Sequence, residues 1–325
     1  MHLKWKHIAF IQSIVLILLL VFFFYPFHKE RPITSVNPKG LLSPRVYAGL
    51  IESKSYLIVN YNPLREELKE YINNISEKNA TVAVYVENIR DGASMSINGQ
   101  EGFSPASLSK VPMAILIAKK VEDNELNWST PLTIENADRT DSWGDLYQTP
   151  ERQLPLKVVF EKMLKDSDNT AFNVLNHYKD HDDYLNLLWD YYGYYQVNSS
   201  DSKTHQVTPK SMYNLFSSLY LSTILQQKDS EYILKLLSNT SFDIHKIANI
   251  STDITIAQKF GEKYDDGEQY FHSCGIIYVD DMRVFYCIMT HHLEKDKGQK
   301  VIGEILHNIY DYTIISRKNL DFLKE

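Results

Sequence analysis

The chain has 325 residues, enough for one large domain or two small ones. Its 44% hydrophobic and 23% charged residues are ordinary for a globular protein. A net charge of −7 without a basic stripe speaks against a nucleic-acid partner, and no internal repeat suggests an array.

MHLKWKH precedes IAFIQSIVLILLLVFFFYPF at 8–27, an uncharged apolar run of about 20 residues. That length crosses a bilayer as one helix. Lys4 and Lys6 lie before it, and a short basic end stays inside. The run is long for a signal peptide, no small-x-small site follows it, and no cysteine follows closely enough for a lipid anchor. Residues 1–7 are therefore expected in the cytoplasm and 8–27 as an uncleaved single-pass anchor in the cell membrane. The remainder is expected to be extracytoplasmic. Residues 28–45 carry three prolines and read as a linker. Residues 46–61 could hold one or two short strands, and no role is assigned to 28–61.

PLREELKEYINNISEKN (63–79) reads as a helix with Pro at its start and Leu64, Leu68, Tyr71, Ile72 and Ile75 on one face. VAVYVENI and SMSING read as strands around an RDG turn. A helix starts near Ser107, because Pro112 must lie close to its first turn. From about 120 to 250 the apolar spacing is helical: LPLKVVFEKMLKDS, TAFNVLNHY, DDYLNLLWDYYG, TPKSMYNLFSSLYLS and DSEYILKLLSN. Three strands follow, ITIAQKFGE, QYFHSCGIIYV and MRVFYCIMTHH, the last two joined as a hairpin at Asp280-Asp281. A closing helix covers 297–314. The expected fold is α+β: an antiparallel sheet flanked by the terminal helices, with an all-helical lobe inserted, over residues 62–317. A site belongs in the cleft between sheet and lobe.

FSPASLSKVPMAIL (103–116) holds three serines, but only Ser107 stands one helical turn before Lys110. At a helix start these two make a nucleophile and its base beside free backbone N–H groups. Ser-x-x-Lys occurs about once by chance in such a chain, and Ser200 with Lys203 is a second case. Ser167-Asp168-Asn169 before a helix is, taken alone, a good N-cap. Lys259-Phe260-Gly261 in a strand is, taken alone, an edge lysine.

Together, in this order and on this pattern of helices and strands, Ser-x-x-Lys, Ser-Asp-Asn and Lys-x-Gly resemble the penicillin-recognising serine hydrolases, and most nearly the class A β-lactamases. The resemblance covers about 62–315, including the VTPKSM helix start and SEYILKLL ahead of KFG. It implies Ser107 as acylated nucleophile, Lys110 as its activator and Ser167 as proton shuttle. It also implies Asn169, Lys259 and Gly261 in substrate binding. The oxyanion hole would combine the Ser107 N–H with one near Glu262 or Lys263. The implied substrate is a β-lactam or a peptidoglycan-like amide, with no cofactor, no metal and a monomer.

Two features depart from that family. GYYQVNSSDSKTHQVTP (193–209), ahead of the Thr-Pro helix start, is short and holds no glutamate to activate the deacylating water; Asp201 is its one acid. Slow deacylation follows. Phe260 stands where the family has a hydroxyl residue, removing a charge-assisted hydrogen bond worth about 1.5–3 kcal/mol. These departures keep two alternatives open: a D-Ala-D-Ala carboxypeptidase or esterase, and a non-catalytic wall-binding module. His272 reads as structural, and no His/Cys/Asp set has zinc-ligand spacing. A hairpin turning at Asp280-Asp281 sets Cys274 opposite Cys287, close enough for a disulfide in an exported protein.

Overall fold

The computed structural model describes Leu41 and residues 59–77, 79–179, 206–265 and 267–322, without the side chains of 265 and 319–322. The expected anchor 8–27, the linker apart from Leu41 and 59–61, the DDYLNLLWDYYG helix and residues 193–205 with Asp201 lie outside these. Among the described residues no helix is long and apolar enough to cross a membrane.

Helix α1 (Asn62–Asn73) takes Pro63 in its first turn and buries Leu64 and Leu68. It ends before the expected Asn79, because Asn73 and Asn74 offer side-chain bonds that compete with helix continuation. Strands β1 (Thr81–Asn88) and β2 (Ser94–Ile97) form a hairpin around the RDG turn, as the sequence suggested. A 3-10 turn (Ala106–Ser109) then leads into α2 (Lys110–Glu122). The hairpin of β6 (Glu268–Val279) and β7 (Met282–His291) turns at Asp280-Asp281, with Asp280 left-handed at φ 46°. Strand β5 (Thr255–Asp265) joins β6, giving an antiparallel sheet of order β2-β1-β7-β6-β5.

The lobe contains α3 (Leu156–Lys165), α4 (Asn169–Asn176), α5 (Pro209–Leu221) and α6 (Gln227–Leu237). A short helix, α7 (Ile244–Ala248), returns the chain to the sheet, and α8 (Lys295–Phe322) closes the fold, longer than the spacing suggested. The lobe is not all-helical, as its sequence suggested. Strands β3 (Pro131–Thr133) and β4 (Gln153–Pro155) pair across it, Leu132 facing Leu154. Three residues per strand show no readable alternation, and their partners are some twenty positions apart.

Two cores sandwich the sheet. One packs α2–α6 against Ala83, Tyr85, Ala257, Ile276 and Phe285; the other packs α1 and α8 against Val84, Val86, Ile277, Val284 and Ile288. Neighbouring residues of one strand thus enter opposite cores, the two-residue period of a pleated sheet. Cys274 faces Cys287 in the ladder and the two form a disulfide. Leu41 is also held: its N–H bonds Glu231 at 3.0 Å and its carbonyl accepts from the Tyr278 hydroxyl at 2.7 Å.

Candidate active site

Phe103 and Val207 exchange both backbone hydrogen bonds at 2.9 Å, which pins the segment ahead of Ser107 to the start of α5. Ala106, left-handed at φ 47°, then turns the chain into the 3-10 segment. Such backbone is sterically costly and concentrates at functional sites. In a 3-10 turn residues three apart eclipse, so Ser107 and Lys110 face each other. Lys110 Nζ lies 3.1 Å from Ser107 Oγ. The other two serines are used elsewhere: the Ser104 carbonyl accepts from His272 Nε2 at 2.8 Å, and Ser109 Oγ donates to the Ala106 carbonyl.

Ser167 follows α3 and is itself left-handed, at φ 55°. That backbone turns both its carbonyl and its hydroxyl toward Lys110, whose Nζ donates to the carbonyl and lies 3.2 Å from the hydroxyl oxygen. Asp168 caps α4 by accepting from the Ala171 N–H at 2.8 Å, as the N-cap reading expected. Its second oxygen accepts from the Leu146 N–H at 2.8 Å, drawing in the 140–149 loop. Gly144, at φ 90°, lies so close that a Cβ would fall 2.1 Å from Asp168 Oδ2; no larger residue fits there. Asn169 offers Oδ1 to Lys110 Nζ at 2.6 Å, and its amide nitrogen donates to Ser142 Oγ.

Lys259, on edge strand β5, is buried, and its Nζ reaches Ser167 Oγ at 2.7 Å. Two lysines therefore converge on one serine. Burial lowers the Lys110 pKa to about 7, against the opposing pull of Asp168. Burial, and then the charge of Lys110, holds Lys259 well below the ordinary lysine range. A neutral amine beside Ser107 Oγ can take its proton. Gly261 lets β5 approach the Ser107 turn: a Cβ there would lie 3.3 Å from the Pro105 carbonyl and 3.4 Å from Ala106.

All six residues singled out in the sequence thus meet at one place. Ser107, Ser167 and Lys259 line a narrow cleft together with Trp143, Lys165 and Phe260. Phe260 is buried and stacks on Phe242 at 3.7 Å between ring centroids. Sequence reading missed Trp143, Gly144 and Lys165. Gly144 carried a possible signal, a glycine in a polar loop, whereas Trp143 and Lys165 belong to no motif. His272 is fully buried, packed edge-on against Phe103, and its pKa is lowered to about 4 by burial. Its bond to the Ser104 carbonyl makes it a prop for the turn that carries Ser107.

No curated protein matches the chain in sequence. Among solved structures, PBP-A superposes with a TM-score of 0.68 at 20% identity, covering 77% of this chain and 95% of that one. A PBP-A acyl-enzyme complex with penicillin G matches at 0.67, with the same identity and coverage. A β-lactamase from Sphaerobacter thermophilus superposes at 0.69 with 18% identity, over 79% of this chain and 99% of that one. At such identities these likenesses establish the fold. The family model described as "Beta-lactamase enzyme family" matches residues 63–313, most of the chain and every residue of the lysine–serine cluster. The chain belongs to the β-lactamase enzyme family.

Proposed function

We propose that this hydrolase of the β-lactamase and penicillin-binding superfamily is a class A-like serine hydrolase working by acyl transfer through Ser107, anchored in the cell membrane with its catalytic domain outside. The observation that carries this reading is the buried Lys110 amine, 3.1 Å from Ser107 Oγ with a pKa lowered to about 7. Neutral Lys110 takes the Ser107 proton as Oγ attacks the carbonyl carbon of a β-lactam or related amide. The tetrahedral oxyanion is held by the Ser107 N–H and one from β5 just past Gly261. The C–N bond then breaks. Ser167 passes its proton to the leaving nitrogen and is reprotonated from the lysines 2.7 and 3.2 Å from its Oγ. Asn169 holds the acyl side-chain amide by exchanging its present partners, Lys110 and Ser142, for the substrate.

Deacylation is slow on this reading, because 193–209 offers no glutamate to activate water. Two further readings share the mechanism: the missing glutamate favours a D-Ala-D-Ala carboxypeptidase, and Phe260, which supplies no hydroxyl for a substrate carboxylate, favours an esterase. The intact mass of the full chain in detergent after incubation with penicillin, beside Ser107→Ala, separates these. A lasting adduct on the parent alone supports an acyl-enzyme at Ser107. Loss of penicillin without an adduct means a β-lactamase with efficient release. Neither outcome leaves the ester and D-Ala-D-Ala peptide substrates, to be assayed next, and beyond them a binding role.

A further inference from the structure

At the end of the sheet near the β5–β6 turn, three metal-ligating side chains converge that no sequence motif connects. Glu268 opens β6, His291 closes β7 and His292 follows it. One donor atom from each lies within 4.8 Å of the others. The two Nε2 atoms face the same carboxylate oxygen: His291 is hydrogen-bonded to Glu268 Oε2, and His292 Nε2 stands 3.7 Å from it.

The rings are held in place. The His291 imidazole stacks on Tyr270 at 4.2 Å and 5°, and on its other side against His292 at 3.6 Å and 23°. The left-handed φ of 58° at His292 folds the second ring back over the first. Two imidazoles and one carboxylate supply nitrogen and oxygen donors, which suit a divalent cation. Nitrogen donors select zinc-type ions over calcium or magnesium, which take oxygen. Three protein ligands leave further positions for water.

We propose that Glu268, His291 and His292 form a binding site for one divalent transition-metal ion of the zinc type, clamping the start of β6 to the end of β7. None of its three residues belongs to the lysine–serine cluster, and the proposal does not depend on the proposed reaction.

The test is titration of the full chain in detergent with zinc chloride after chelator treatment, followed by calorimetry and by the melting temperature. One ion should bind saturably and raise the melting temperature, since a ligand of the folded state alone stabilises it. Glu268→Gln and His292→Asn should each weaken zinc binding by about tenfold or more. Asparagine accepts the left-handed backbone at 292, so the metal-free variant should melt like the parent. Cobalt in the unsubstituted chain gives a readout that no variant can confound. It should show visible bands of a four- or five-coordinate nitrogen–oxygen site. Absence of saturable zinc uptake, absence of the cobalt bands, or undiminished uptake by both folded variants would overturn the proposal.

Discussion

Ser167 is the residue at which the two buried lysines meet, and their protonation sets the pH dependence of the site. Lys110 is useful as a base only when unprotonated, and its pKa is lowered to about 7. Acylation by penicillin should therefore rise as pH increases through about 7 and level off above it. The rate of adduct formation by mass, sampled between pH 5 and 9, checks this. A flat profile would remove Lys110 from the role of base. Lys110→Ala should slow acylation by about 100-fold or more. Phe260→Thr pits two effects against each other. The hydroxyl restores a bond to a substrate carboxylate worth about 1.5–3 kcal/mol, which is about tenfold or more in acylation rate. Loss of the buried ring and its stack on Phe242 costs about 3 kcal/mol of stability. A faster but less heat-stable variant is the expected outcome, read by acylation kinetics and a melting curve.

Secondary-structure elements explain which parts of the site were legible. Ser107 with Lys110 could be read because a three-residue spacing becomes a contact in any helical turn. The Cys274–Cys287 pairing could be read because one hairpin turn fixes the register of both strands. The β3–β4 pair and the Glu268–His291–His292 cluster could not, since each joins short or distant segments that only the folded sheet and lobe bring together. Phe260 was legible as a departure from the family pattern, but not its stack on Phe242, eighteen positions away in a loop. The disulfide closes a short loop, with a sequence separation of 13. In the chain-entropy account such a crosslink stabilises by about 3 kcal/mol. Replacing both cysteines by alanine should lower the unfolding free energy by about that amount in a denaturant titration, while leaving acylation of Ser107 intact. Cys274 lies directly opposite Lys259, so a parallel loss of acylation would show that the crosslink also positions the site.

The whole molecule joins a domain whose candidate catalytic groups come from both sheet and lobe to an N-terminal run with the composition of a membrane helix. Ser107, Ser167 and Lys259 stand on the 3-10 turn, in the lobe and on the edge strand, so the cleft exists only when sheet and lobe are both folded. None of the residues of that cluster belongs to the run at 8–27. The apolar run has the length of a bilayer crossing and the basic flank of a segment whose N-terminus stays inside. Anchoring and chemistry should therefore separate cleanly. The full chain should stay in the membrane fraction through an alkaline carbonate wash and leave it only in detergent. A chain beginning at residue 28 should appear in the soluble fraction and form the penicillin adduct at the same rate. Release of the full chain by carbonate would remove the anchor from the proposal. A slower adduct on the shortened chain would show that the N-terminal segment contributes to the catalytic domain as well as to its location.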